Sequence, residues 1–109
     1  MTRRAVVFSW VILAWCATAV GQTPLRIYFF DVGQGDAVLI QTPSGRTVLY
    51  DAGDSPTRIV NQLATAGISR LDLVIASHNH ADHIGGLAEV IRRYHPRFYL
   101  DNGVPATTL

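Results

Sequence analysis

The stretch Ser77-His78-Asn79-His80-Ala81-Asp82-His83, followed at once by Ile84-Gly85-Gly86-Leu87, constrains this chain more than any other. Three of its four histidines and a carboxylate fall within six residues, between an apolar run (Leu71 to Ala76) and an amphipathic one (Leu87 to Tyr94). No regular element sets positions i, i+2, i+4 and i+5 on one side. A helix separates i from i+2 by more than half a turn, and a strand sends i+5 to the face opposite i+4. A loop at the end of a strand can curl so that all four point inward. Imidazole nitrogen and carboxylate oxygen are the ligands that a borderline divalent ion such as zinc takes. A solvated loop with idle histidines would leave the clustering, and the acid within it, unexplained.

His78-Asn79-His80-Ala81-Asp82-His83 matches the H-x-H-x-D-H signature of the metallo-β-lactamase superfamily at every fixed position. Upstream, Phe30-Asp31-Val32-Gly33-Gln34-Gly35-Asp36-Ala37 and Val48-Leu49-Tyr50-Asp51-Ala52-Gly53 resemble a narrower branch. That branch contains the C-terminal domain of ComEC-type competence DNA-uptake proteins and their free-standing secreted relatives. The resemblance runs from about Leu25 to the end of the chain. One position departs from it, since the branch often carries Asp where this chain has His80.

The resemblance implies an α/β fold, the N-terminal half of an αββα sandwich, with a mixed sheet and two helices. It implies two divalent ions, zinc expected first and manganese or iron as alternatives. His78 and His80 would hold one ion, Asp82 and His83 the other, and Asp82 would also act catalytically by orienting the bridging hydroxide or taking its proton. Asp51 would accept hydrogen bonds from the histidine loop and hold its shape without touching metal, with Gly53 beside it in the same structural corner. The turn carrying Asp31, Gln34 and Asp36 would lie at the active-site rim. From spacing alone, that turn reads as a hairpin needing its glycines, and the resemblance is what moves it toward the rim.

The first residues read as a leader rather than as part of the fold. Met1-Thr2-Arg3-Arg4 is a positive n-region, and Ala5 to Val20 an apolar run with both tryptophans and the only cysteine. Ala17-Thr18-Ala19 or Ala19-Val20-Gly21 supplies the small residues of a cleavage site. Residues 1–21 therefore read as a Sec-type signal peptide and 22–109 as a partial metallo-β-lactamase-like domain, periplasmic or secreted. An N-terminal membrane anchor is the alternative, although the run is marginal for about 30 Å of hydrocarbon. Thr2-Arg3-Arg4 lacks the rest of a twin-arginine pattern. Bulky Trp15 precedes Cys16 where a lipoprotein box requires a small residue, so neither subtype is expected.

Without Arg3 and Arg4, seven arginines face eight acids, and there is no lysine. A basic footprint for a nucleic-acid backbone is absent from this piece. If the substrate is nucleic acid or another phosphodiester, its affinity must come from elsewhere in the protein or from bound ions. The mature chain would also have no cysteine, hence neither disulfide nor thiolate ligand.

The pattern predicts strands at Leu25–Phe30, Ala37–Gln41 and Thr47–Tyr50, joined as an antiparallel meander. Ser55 as N-cap and Pro56 at the first helical position open a helix whose Ile59, Val60, Leu63 and Ala66 share a face, closed by Gly67. Leu71–Ala76 then returns as a buried strand beside Thr47–Tyr50, placing His78 at its carboxyl end, where ligand loops belong. Leu87, Val90, Ile91 and Tyr94 form a second helical face, stopped by Pro96, and Arg97–Leu100 a last strand. His95, at a helix end, reads as a cap on the last carbonyls rather than a ligand.

Two protein ligands per ion are fewer than the three a zinc site takes. The superfamily supplies the rest from later sequence, and nothing after His83 matches. The intact protein is thus expected to be an exported metal-dependent hydrolase, a phosphodiesterase or nuclease by its branch. The alternatives are a hydrolase of a lactone, thioester or β-lactam, and, for the 109 residues alone, a non-catalytic fragment with one sheet face uncovered.

Overall fold

The structure, a computed structural model, describes residues 21–105. The leader reading for residues 1–21 falls, except for Gly21, outside the described residues. Strands β1 (Arg26–Phe29), β2 (Val38–Gln41) and β3 (Thr47–Tyr50) precede helix α1 (Arg58–Thr65) and strand β4 (Leu73–Ile75). Helices α2 (Ala81–Ile84) and α3 (Leu87–Tyr94) and strand β5 (Phe98–Leu100) follow. The strands lie side by side in sequence order as one five-stranded sheet. β1–β2 and β2–β3 pair antiparallel, β3–β4 and β4–β5 parallel. The meander and the crossover through α1 follow from the strand–helix–strand pattern, because parallel neighbours need a long connection.

Register explains where the core sits. Leu39, Leu49 and Val74 are aligned across β2, β3 and β4, and all three are wholly buried. Against them lie Ile59, Val60 and Leu63 of α1 and Leu87 and Val90 of α3. Each such aliphatic side chain contributes about 1.5–3 kcal/mol by leaving water. On the opposite face the aligned rows are Ile27, Ile40, Val48, Leu73, Phe98 and Phe29, Val38, Tyr50, Ile75, Leu100. Every position is apolar, yet Phe29 is 80% exposed and Phe98 57% among the described residues. Strands apolar on both sides belong to sheets covered on both sides.

Three expectations need correction. The histidine loop is not wholly irregular: residues 81–84 form the short helix α2, with the His83 and Ile84 amides both bonded to the His80 carbonyl. The two expected helices are α1 and α3, and α2 is a single added turn within the loop. α1 begins at Arg58, with Thr57 rather than Ser55 at its N-cap, although the Ser55 hydroxyl still accepts the Arg58 amide at 3.3 Å. The ladder of β4 runs Leu73–Ile75, shorter than Leu71–Ala76: Asp72 is a bend, and its carboxylate accepts the Thr47 amide at 2.9 Å. His95 caps through its main chain: its backbone is left-handed (φ 45°), its amide donates to the Ile91 carbonyl, and the residue is exposed.

Candidate metal centre

The candidate residues meet at the carboxyl ends of β3 and β4. Asp51 ends β3 in a left-handed backbone conformation (φ 58°) and is 1% exposed. Its Oδ1 accepts the Ser77 amide at 2.8 Å. Its Oδ2 accepts the Ser77 hydroxyl at 2.6 Å and lies 2.9 Å from His83 Nδ1. A carboxylate only accepts, so the proton of that last contact belongs to His83 Nδ1 and leaves the Nε2 lone pair free. Nε2 stands 3.7 Å from Asp82 Oδ2. Two donors on one tetrahedral ion at about 2.1 Å stand about 3.4 Å apart, so this pair is close to the spacing that one ion requires.

His78 is the hub of the imidazoles. Its ring centroid lies 4.6 Å from that of His80 and 4.1 Å from that of His83. His78 and His83 are half-buried, whereas His80 is exposed. Nitrogen and oxygen donors of this kind suit a borderline divalent ion. Among the described residues, no three His, Asp or Glu side chains are placed to hold one ion.

The rim residues divide. Asp36 is brought in: its Oδ2 lies 3.9 Å from His83 Nδ1 and its carbonyl accepts the Gly53 amide at 3.0 Å. Gly35, at φ 89°, has its Cα so close to the Asp82 carbonyl that any Cβ there would collide with it. The Gly33–Asp36 turn therefore rests directly on the segment carrying Asp82, which hairpin geometry alone does not require. Asp31 faces its own turn, with Oδ1 accepting the Gly33 amide at 3.1 Å and its carbonyl accepting from Gln62 Nε2. Gln34 is exposed, with no side-chain hydrogen bond among the described residues. Gly53 presents its carbonyl to the Gly86 amide at 3.2 Å, and a Cβ on it would lie 2.6 Å from the Val32 side chain. The far side of the loop is closed by the turn after β5, where Asn79 Nδ2 donates to the Val104 carbonyl.

Two participants escape a reading of motifs. Ser77, just before the first histidine, joins Asp51 to His78, with its hydroxyl 2.8 Å from His78 Nδ1. Asp72, an acid inside an apolar run, is 7% exposed at the opposite end of the same strands. Its hydrogen bonds from Arg70 and from the Thr47 amide hold its carboxyl below the usual carboxylate range. An acid interrupting a buried strand is the signal that could have marked it.

The sequence pattern of the metallo-beta-lactamase superfamily matches residues 30–102. The chain belongs to that superfamily. Among curated relatives, it is 39% identical over 75 residues to Competence protein ComA of Neisseria gonorrhoeae, covering 66% of this chain and 11% of that one. Recombination protein 2 of Haemophilus influenzae is 38% identical over 71 residues, 59% of this chain and 9% of that one. A hydroxyacylglutathione hydrolase of Chromohalobacter salexigens is 35% identical over 60 residues, 55% and 23% respectively. Among solved structures, Rm3 metallo-beta-lactamase superposes with a TM-score of 0.56 at 32% identity, covering 66% of this chain and 28% of that one. A metallo-beta-lactamase from Cronobacter sakazakii, at TM-score 0.55 and 23% identity, shares the fold over 69% of this chain and 34% of that one. The chain thus spans between about a tenth and a quarter of these curated relatives' length. It is a ComEC-like, N-terminal piece of the metallo-β-lactamase fold, from a superfamily of hydrolases that generally bind divalent metal. None of the helices among the described residues is long and apolar enough to cross a membrane.

Proposed function

We propose that the intact protein is an exported, metal-dependent hydrolase of phosphodiester bonds, with nucleic acid as its substrate class. The observation that carries the hydrolase reading is the bond from His83 to buried Asp51, which turns an imidazole lone pair toward Asp82. The likeness to a competence protein and a recombination protein supports the choice of substrate. In this reading His78 and His80 hold one divalent ion, and Asp82 and His83 a second, zinc before manganese or iron. Ions bound there would supply Lewis acidity and a water acidic enough to attack at neutral pH.

The chain's own residues do the rest. Asp82 holds or takes a proton beside the attacked bond. Asp51 fixes the orientation of the histidine loop, and Gly53 lets that corner pack closely. At the rim Asp36 stands nearest the imidazoles, with Asp31 and Gln34 on the same turn. Residues 1–21 serve as a signal peptide, with a retained anchor as the alternative, and residues 22–109 form the first part of the domain. Metal analysis and a phosphodiester assay on the full-length gene product test this reading. Bound zinc with turnover is the expected result, and metal-free protein ends the proposal.

A second reading is favoured by the hydroxyacylglutathione hydrolase among the relatives and by His80, which replaces the Asp common in the competence branch. It makes the protein a thioester, lactone or β-lactam hydrolase using the same four donors. A substrate panel on the same preparation separates the two.

A further inference from the structure

Ser77 is where the hydrogen-bond accounting around Asp51 has only one solution. Its hydroxyl is 2.6 Å from Asp51 Oδ2 and 2.8 Å from His78 Nδ1. A hydroxyl has one hydrogen to give. Given to His78, it would leave Oγ and the carboxylate facing each other, lone pair to lone pair, at 2.6 Å beside a 1% exposed acid. Given to Asp51, it makes a charge-assisted bond of ordinary length for O–H···O⁻. The serine oxygen can then only accept, so the hydrogen in the contact with His78 sits on Nδ1. Asp51 Oδ2 accepts from His83 Nδ1 as well, at 2.9 Å.

We infer that Ser77 is a positioning residue: it relays the charge of Asp51 to His78, so that one buried carboxylate fixes the Nδ1–H tautomer of two histidines. Both rings then offer Nε2 outward. The inference rests on the proposed function, in which His78 and His83 serve different ions. It goes further by making the two half-sites share one anchor. The Ser77 main chain is secured separately, since its amide donates to Asp51 Oδ1 at 2.8 Å. Removing the hydroxyl therefore breaks the relay while leaving the loop attached.

The test uses the full-length gene product, stripped of metal and labelled with ¹⁵N-histidine. Long-range ¹H–¹⁵N correlation reads each ring's tautomer directly, and zinc competition with a chelator reads affinity. In the unaltered protein, His78 and His83 are both expected as Nδ1–H, the form that free imidazole disfavours. Ser77→Ala should release His78 to the opposite tautomer, leave His83 in place, and weaken zinc binding about tenfold. Ser77→Thr, which keeps the hydroxyl, should hold both rings in the Nδ1–H form. The inference is overturned by a His78 that carries its proton on Nε2 in the unaltered protein, a spectrum that needs no variant to fold. It is equally overturned by Ser77→Ala leaving the His78 tautomer unchanged. A protein that shows the tautomers but takes up no zinc would sink the hydrolase reading while leaving the relay standing.

Discussion

Two buried acids stand at opposite ends of the β3–β4 pair. Both tie the strands together through a main-chain amide, at 2.8 Å from Ser77 to Asp51 and at 2.9 Å from Thr47 to Asp72. Their remaining partners differ. Asp72 is neutralised by guanidinium groups, Arg70 in direct contact and Arg46 at 3.6 Å. Asp51 has no cation among the described residues other than an imidazole that can be neutral, and it spends its second oxygen on Ser77 and His83. An acid with arginines is complete in itself and serves the fold. An acid whose partners are a hydroxyl and an imidazole is left instead to orient the ligand-type nitrogens of the proposed site.

The largest expected break in that comparison is Asp51→Ala. It strands the Ser77 amide and hydroxyl in a half-buried corner, at a cost of about 2–3 kcal/mol in urea unfolding. It should also lower zinc affinity by about 10–100-fold. Asp72→Ala should lower the urea midpoint but leave zinc content untouched. A parallel loss of zinc would erase the distinction between the two acids. Next comes Gly35→Ala, which forces the rim turn off the Asp82 carbonyl. The expected cost is about 1–3 kcal/mol, with weakened zinc binding, measured by the same two assays.

Asp72→Asn sharpens the contrast by pH. The folded pKa of Asp72 lies below its unfolded value, so its ion pairs stabilise the fold above the ordinary carboxylate range. That contribution is lost as pH falls through the folded value. The variant should therefore show a shallower acid limb in thermal midpoint against pH than the unaltered protein. Smallest of all is Glu89→Gln, which removes an exposed helix-surface pair with Arg92 and should leave both unfolding and zinc binding within error.

Much of this frame was legible from residue patterns. The meander follows from strands rich in branched and aromatic residues, and the crossover from Ile59, Val60 and Leu63 recurring on one face between two strands. The four donor-bearing residues were legible because no ordinary packing need gathers His78, His80, Asp82 and His83 in one short stretch. Three features were not. A four-residue helix such as α2 is too short to carry a periodicity. The contact of Gly35 with Asp82 joins positions far apart in sequence, and a tight hairpin explains the same glycine. Asp72 was absorbed into an apolar run because its neighbours, Leu71 and Leu73, set the tone of the segment.

The left-handed backbone of Asp51 narrows what that corner can accept. Aspartate and asparagine tolerate such a conformation better than other residues with a side chain, and glycine enters it freely. Glycine would relax the main chain and delete the carboxylate, while a longer acid would keep the charge and misplace it. Asparagine alone would preserve the bend while exchanging an acceptor for a donor. Asp51→Asn and Asp51→Gly thus form a pair that separates the shape of the strand end from the charge it delivers.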